Sequence, residues 1–121
     1  MSEFKRHNFK KLKIWQMAME LAKEIFKLSS SFPSSEKFGL TSQMNRCSVS
    51  MPSNIAEGSS RTNKSFSHFL DISLGSSFEL QTQLLQANSQ NYVPDDLSQY
   101  IENKIEEFQK ATMSFQNTLN Q

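Results

Sequence analysis

The sequence predicts an all-α protein, an antiparallel up-down-up-down four-helix bundle. Three observations carry that expectation. Apolar residues recur at steps of three and four in four separate segments. Short polar connections separate those segments, which favours antiparallel neighbours. Only 3 Gly and 3 Pro occur in 121 residues, too little turn material for an all-β chain. Hydrophobic residues make up 36% and mean hydropathy is -0.56. Such a polar chain still builds a core where its apolar positions fall on narrow stripes. The length fits one domain, residues 1–121, with 1–8 as a flexible basic arm.

The first helix is expected over about Phe9 to Ser30. Ile14, Ala18, Leu21, Ile25 and Leu28 form one face. Trp15, Met19, Ala22 and Phe26 form a second stripe beside it, wider than one seam of a small bundle needs. Pro33 forces Phe32 out of helical geometry, so this helix ends before it, and Ser34 or Ser35 can cap the next. The second helix, about Ser35 to Glu57, carries Leu40, Met44, Cys47, Met51 and Ile55 on one face. Pro52 removes a hydrogen bond to the Ser48 carbonyl. The apolar spacing keeps phase across it, so a kinked but continuous helix is expected, with nearby serines satisfying the freed region. Gly58 is read as a left-handed stop.

The third helix starts with Thr62 or Asn63 as cap and runs to about Ser89. Phe66, Leu70, Ser73, Ser77, Leu80, Leu84 and Ala87 make its main face, and Leu74, Phe78 and Leu85 an offset stripe. Gly75 costs about 1 kcal/mol against alanine in a helix interior, so a close helix approach is expected there. A loop over 91–95 follows, with Asp95 or Asp96 capping a fourth helix. Its face is Leu97, Ile101, Ile105, Phe108, Thr112, Phe115 and Leu119.

Composition excludes several functions. Net charge is +1, so the chain is not globally basic, although a local patch is open. A lone Cys47 rules out an intramolecular disulfide and reads as a small buried residue. The N-terminal residues lack the apolar core of a secretory signal and no run is long enough to span a membrane, so the expected compartment is cytoplasmic. No small-molecule substrate, metal or other cofactor is expected and no enzyme. His7 and His68 lie on different segments, and His68 with Asp71 is too little for a metal cage. No Gly-x-Ser-x-Gly element or glycine-rich phosphate loop occurs.

Three constellations remain. Lys5, Arg6, Lys10, Lys11 and Lys13 cluster against Glu3 alone. Cations at a helix start oppose its dipole, so local stability does not explain them. Phosphate contact would, with Phe4 and Phe9 stacking on bases; a solvated helix end is the plainer alternative. Arg46, Arg61 and Lys64 form a second, weaker set. Glu57 sits in a last helical turn, where a negative charge calls for a cation, and Arg61 is nearest. An ion pair fixing that turn is the leading account. Trp15, Phe26, Phe69 and Phe78 lie beside the seams and are read as burying against a second subunit rather than as a generous core.

The chain also resembles a known family. Phe9-Lys-Lys-Leu-Lys-Ile-Trp-Gln-Met-Ala18 is similar to its opening. Phe32-Pro33, Glu36, Phe38-Gly-Leu-Thr-Ser-Gln43, Arg46, Ser50, Pro52-Ser-Asn-Ile-Ala-Glu-Gly58 and Arg61 resemble its central signature, with Asn54, Glu57, Gly58 and Arg61 as the specific element. Phe69-Leu70, Gly75-Ser76 and Glu79-Leu80 resemble its third helix. The family is that of the 23S rRNA-intervening sequence proteins, whose members are similar to the accessory protein of diversity-generating retroelements. Cys47 and Met51 stand where smaller or β-branched residues are common. The resemblance implies a homopentamer of four-helix protomers, a role in binding RNA or DNA, and no catalysis. A protein-interaction scaffold without nucleic-acid contact is the alternative.

Overall fold

The computed structural model describes residues 7–120. Four α-helices follow one another: α1 (Lys13–Ser29), α2 (Leu40–Ser59), α3 (Asn63–Ser89) and α4 (Asp95–Leu119). Each packs on its two neighbours, with α4 closing back on α1. That is the four-helix bundle expected from the spacing. The core is the expected set of faces: Ile14, Ala18, Leu21 and Ile25 from α1, Met44, Met51 and Ile55 from α2, Phe66, Leu70, Leu80 and Leu84 from α3, and Ile101, Ile105 and Phe108 from α4.

Both ends of the bundle are tied. At one, Phe32 packs on Tyr92 (centroids 5.4 Å apart) and Val93 is buried, so the loop over 91–95 closes the core. Tyr92 Oη donates to Glu36 Oε2 (3.0 Å). Glu36 Oε1 accepts from Leu40 N (3.2 Å), so Glu36, and not Ser34 or Ser35, serves the start of α2. Those two serines lie instead in a separate 3-10 turn, Ser34–Glu36. At the other end His7 N donates to the Ser59 carbonyl (3.2 Å), and its ring sits edge-on to Phe66 and Phe115. One residue thus touches α2, α3 and α4.

α2 runs unbroken through Pro52, as the in-phase stripe predicts. Serines gather at the turn that the proline weakens. Ser73 Oγ donates to the Met51 carbonyl (2.9 Å). Asn54 Nδ2 donates to the Ser50 carbonyl (2.8 Å) and to Ser50 Oγ (3.0 Å), which also accepts from Ser76 Oγ (2.9 Å). Two side chains of α3 therefore brace the proline turn of α2.

Several local expectations are corrected. α1 starts at Lys13, since Phe9–Lys11 is a 3-10 turn and Leu12 is extended. α2 starts at Leu40 rather than Ser35 and continues past Glu57 to Ser59. Gly58 is helical with no positive φ. Its role is space: a Cβ there would lie 2.7 Å from Phe66 Cδ1 and 2.8 Å from Phe69 Cβ. The left-handed stop belongs to Asn91 (φ 64°), where Tyr92 N reaches back to the Ala87 carbonyl (2.9 Å) and closes α3. Gly75 meets nothing within 4 Å; serines 73, 76 and 77 make the close face instead. Pro94 holds the cap position of α4, so Asp95 and Asp96 act on its dipole from the first turn. Leu97 is 38% exposed and leaves the core face. Cys47 is half-buried, at the α2–α3 seam.

Candidate nucleic-acid interface

The start of α1, the end of α2, the start of α3 and the end of α4 share one end of the bundle. There the fold assembles most of the expected cations. Asn8 Oδ1 accepts from Lys10 N (3.3 Å) and shapes the 3-10 turn that carries Lys10 and Lys11. Gln16 Nε2 donates to the Lys10 carbonyl (3.0 Å) and holds that turn against α1. Lys13 opens α1, whose start has no side-chain cap. Lys64 stands in the first turn of α3, which Thr62 caps by accepting from Ser65 N (3.3 Å). Lys10, Lys11, Lys13 and Lys64 are exposed, and no described carboxylate lies within ion-pairing distance of them. Lys5, Arg6 and Phe4 lie outside the described residues.

Arg61 is committed differently. Its guanidinium pairs with Glu57 one turn back and lies over the Phe69 ring, 5.2 Å from the centroid. The cation therefore offsets a carboxylate at the negative end of α2 and stacks on the residue that Gly58 makes room for. With half of each side chain exposed, the ion pair contributes about 0–1 kcal/mol. Of the four signature residues, Asn54 braces the proline turn, Gly58 admits α3, and Glu57 with Arg61 locks the connection between the two helices. All four are accounted for by packing α2 on α3.

Arg46 is not part of this end. It lies 13 residues before Ser59 on the same helix, about 20 Å along the axis. Phe9 is half-buried with its ring edge-on to Trp15 (5.4 Å), so it fills the protein rather than offering a free stacking face. His68 and Asp71 have separate partners: Asp71 accepts from Gln116 Nε2 (2.7 Å), and His68 lies beside Phe69.

The four surplus aromatics separate. Phe26 is 69% exposed and Trp15 half-buried, both along a groove between α1 and α2. Phe78 is 52% exposed on α3. Phe69 is half-buried under Arg61 at the α2–α3 connection, which sets it apart from the other three. Sequence reading missed Val49, which lines the same groove and is 57% exposed. It is a single apolar residue outside the main stripe of α2, and only the approach of α1 gives it neighbours.

The sequence signature of the family described as 23S rRNA-intervening sequence protein matches residues 10–114. The chain belongs to that family. The 23S rRNA-intervening sequence protein fold is also seen in a crystal structure of a protein of unknown function from the S23 ribosomal protein family of Bacteroides thetaiotaomicron. The two superpose with a TM-score of 0.79 at 23% identity, over 86% of this chain and 95% of that one. That likeness concerns the bundle alone. No curated protein matches this chain. Among its described residues no helix is long and apolar enough to cross a membrane.

Proposed function

We propose that this family member is a non-catalytic, self-associating bundle of the cytoplasm that binds RNA or DNA through its basic end. The observation that carries the reading is the grouping of Lys10, Lys11, Lys13 and Lys64 without described acidic partners. Lys13 opposes the α1 dipole, and Lys10 and Lys11 add like charge close by in sequence, a cost that a polyanion removes. The resemblance to the family supports a pentamer as the assembly. A ring repeats the basic end and raises its field, so each contact adds to the next. The apolar groove between α1 and α2 favours the second reading, a protein scaffold without nucleic-acid contact.

A polarisation titration against structured RNA and duplex DNA at several salt concentrations separates the two. Binding should weaken linearly on a log–log salt plot. Replacing Lys10, Lys11 and Lys13 with Gln should lower the slope by about 0.9 per lost phosphate contact on duplex DNA and about 0.7 on a single strand. No binding at low salt removes the nucleic-acid reading.

A further inference from the structure

We infer that residues 7–12 form a strap pinned across the basic end, and that the uncharged Gln16 and Asn8 are positioning residues that set its Lys10–Lys11 turn in advance for phosphate contact. The inference rests on the polyanion reading of that end and concerns how the site is preorganised.

The strap is anchored along its length. His7 fixes the start: its N–H donates to the Ser59 carbonyl (3.2 Å), and its ring meets Phe66 and Phe115 edge-on at centroid distances of 5.3 and 6.0 Å. Phe9 fixes the middle by packing half-buried against Trp15 (5.4 Å). The turn itself closes through Lys11 N to the Asn8 carbonyl (2.9 Å) and Leu12 N to the Phe9 carbonyl (3.0 Å). Leu12 is then extended, and the chain enters α1 at Lys13. The turn thereby rests on both α1 and α2.

Two side chains hold the backbone of Lys10 from either side. Asn8 Oδ1 accepts from Lys10 N (3.3 Å), and Gln16 Nε2, from the first turn of α1, donates to the Lys10 carbonyl (3.0 Å). Asn8, Lys10 and Gln16 are all exposed. Water could satisfy the same groups, so these bonds add little to net stability. Their effect is on direction and freedom. A lysine on a loose segment must lose backbone and rotamer freedom when it meets a phosphate, and a turn fixed beforehand has already lost part of it. Charge alone asks for nothing more than lysines on a tail. This strap has apolar anchors at two points and side-chain hydrogen bonds at its cationic turn, where no described carboxylate lies within ion-pairing distance.

The test is the salt dependence of binding of the intact protein to a labelled single-stranded oligouridylate. Gln16→Met keeps the side-chain length and removes the donor. Asn8→Ala removes the acceptor and stands in should the first variant fail to fold. Neither changes the charge, and circular dichroism should show unchanged helicity. On a log–log salt plot each variant should give a line parallel to the parent's, weaker by roughly two- to tenfold, because the same lysines engage after an extra ordering step. Lys10→Gln should instead lower the slope by about 0.7. Trp15 is the only tryptophan, so its emission should move to longer wavelength in Gln16→Met as Phe9 loosens, and return when the oligouridylate is added. Gln99→Met is the control. It removes an exposed hydrogen bond to Asn103 (2.9 Å) on α4 and should overlay the parent. Gln16→Met and Asn8→Ala lines that overlay the parent overturn the positioning role and leave the basic end standing. Lower slopes overturn it as well, since lysines would then have left the complex. A parent that does not bind at low salt removes the basic end, and the positioning role with it.

Discussion

Two glycines within helices, Gly58 near the end of α2 and Gly75 in the middle of α3, do opposite things. Gly58 faces Phe66 and Phe69 at distances no Cβ tolerates. Gly58→Ala should therefore cost about 1–3 kcal/mol, because the fully buried Phe66 ring must move. Gly75→Ala should do the reverse, adding roughly 0.5–1 kcal/mol by removing backbone freedom in the unfolded chain. Urea unfolding of both changes, at one fixed protein concentration, checks the pair. Equal effects of the two would refute the packing account. Cys47 is likewise set by its surroundings. Burial raises its thiol above the ordinary value, the Gln83 amide lowers it, and Glu79 adds to the rise. The thiolate is scarce at neutral pH, so slow alkylation follows.

At the scale of the elements, Glu36 clasps the connection before α2 to the loop before α4. It accepts from Leu40 N and from Tyr92 Oη at once. The hydrogen bond to Glu36 raises the Tyr92 hydroxyl above the usual phenol value, with burial and the carboxylate charge adding to it. The protonated phenol is thus favoured in the folded state. Its contribution is complete below the unfolded value of about 10 and is lost as pH rises through the higher folded value. Melting temperature should fall more steeply in the parent than in Tyr92→Phe as pH rises above about 10. Parallel curves would show that the clasp contributes nothing. Glu36→Gln should cost about 0.5–1.5 kcal/mol at neutral pH, since one amide oxygen cannot replace both carboxylate acceptors. The α2–α3 seam works by the same logic of shared side chains. It is the most extensive of the four, and it is the one where Ser73 and Ser76 brace the proline turn.

For the molecule as a whole, the arrangement of charge matters more than its sum of +1. Lys10, Lys11, Lys13 and Lys64 share one end, whereas Arg46 stands on the far part of α2. Arg46→Gln should leave the salt slope of RNA binding unchanged, while Lys64→Gln should lower it by about 0.7 on a single strand. A uniform loss across both variants would mean that the bundle binds polyanions without a preferred end.

The four helices, their order and nearly every core residue were legible in the sequence, because a bundle core is a periodic property of each segment. Thr62 as cap and the continuity of α2 across Pro52 were legible for the same local reason. The rest depended on contacts between segments distant in sequence. A glycine near a helix end reads as a stop, and only the approach of Phe66 and Phe69 gives Gly58 its actual role. Asn91 carries the left-handed turn because Tyr92 and Val93 must fold back to close the core. Phe9 and Arg61 have the chemistry of ligand-binding residues, and tertiary packing gave each a partner within the chain, Trp15 for Phe9 and Glu57 with Phe69 for the still half-exposed Arg61. The second stripes of α1 and α3 were visible as excess apolar residues. That Trp15 and Phe26 line a groove with α2 followed only from the angle at which α1 meets α2. Periodicity ranks residues around one helix axis. It does not say which neighbour stands at each angle, and that is what the folded structure decided.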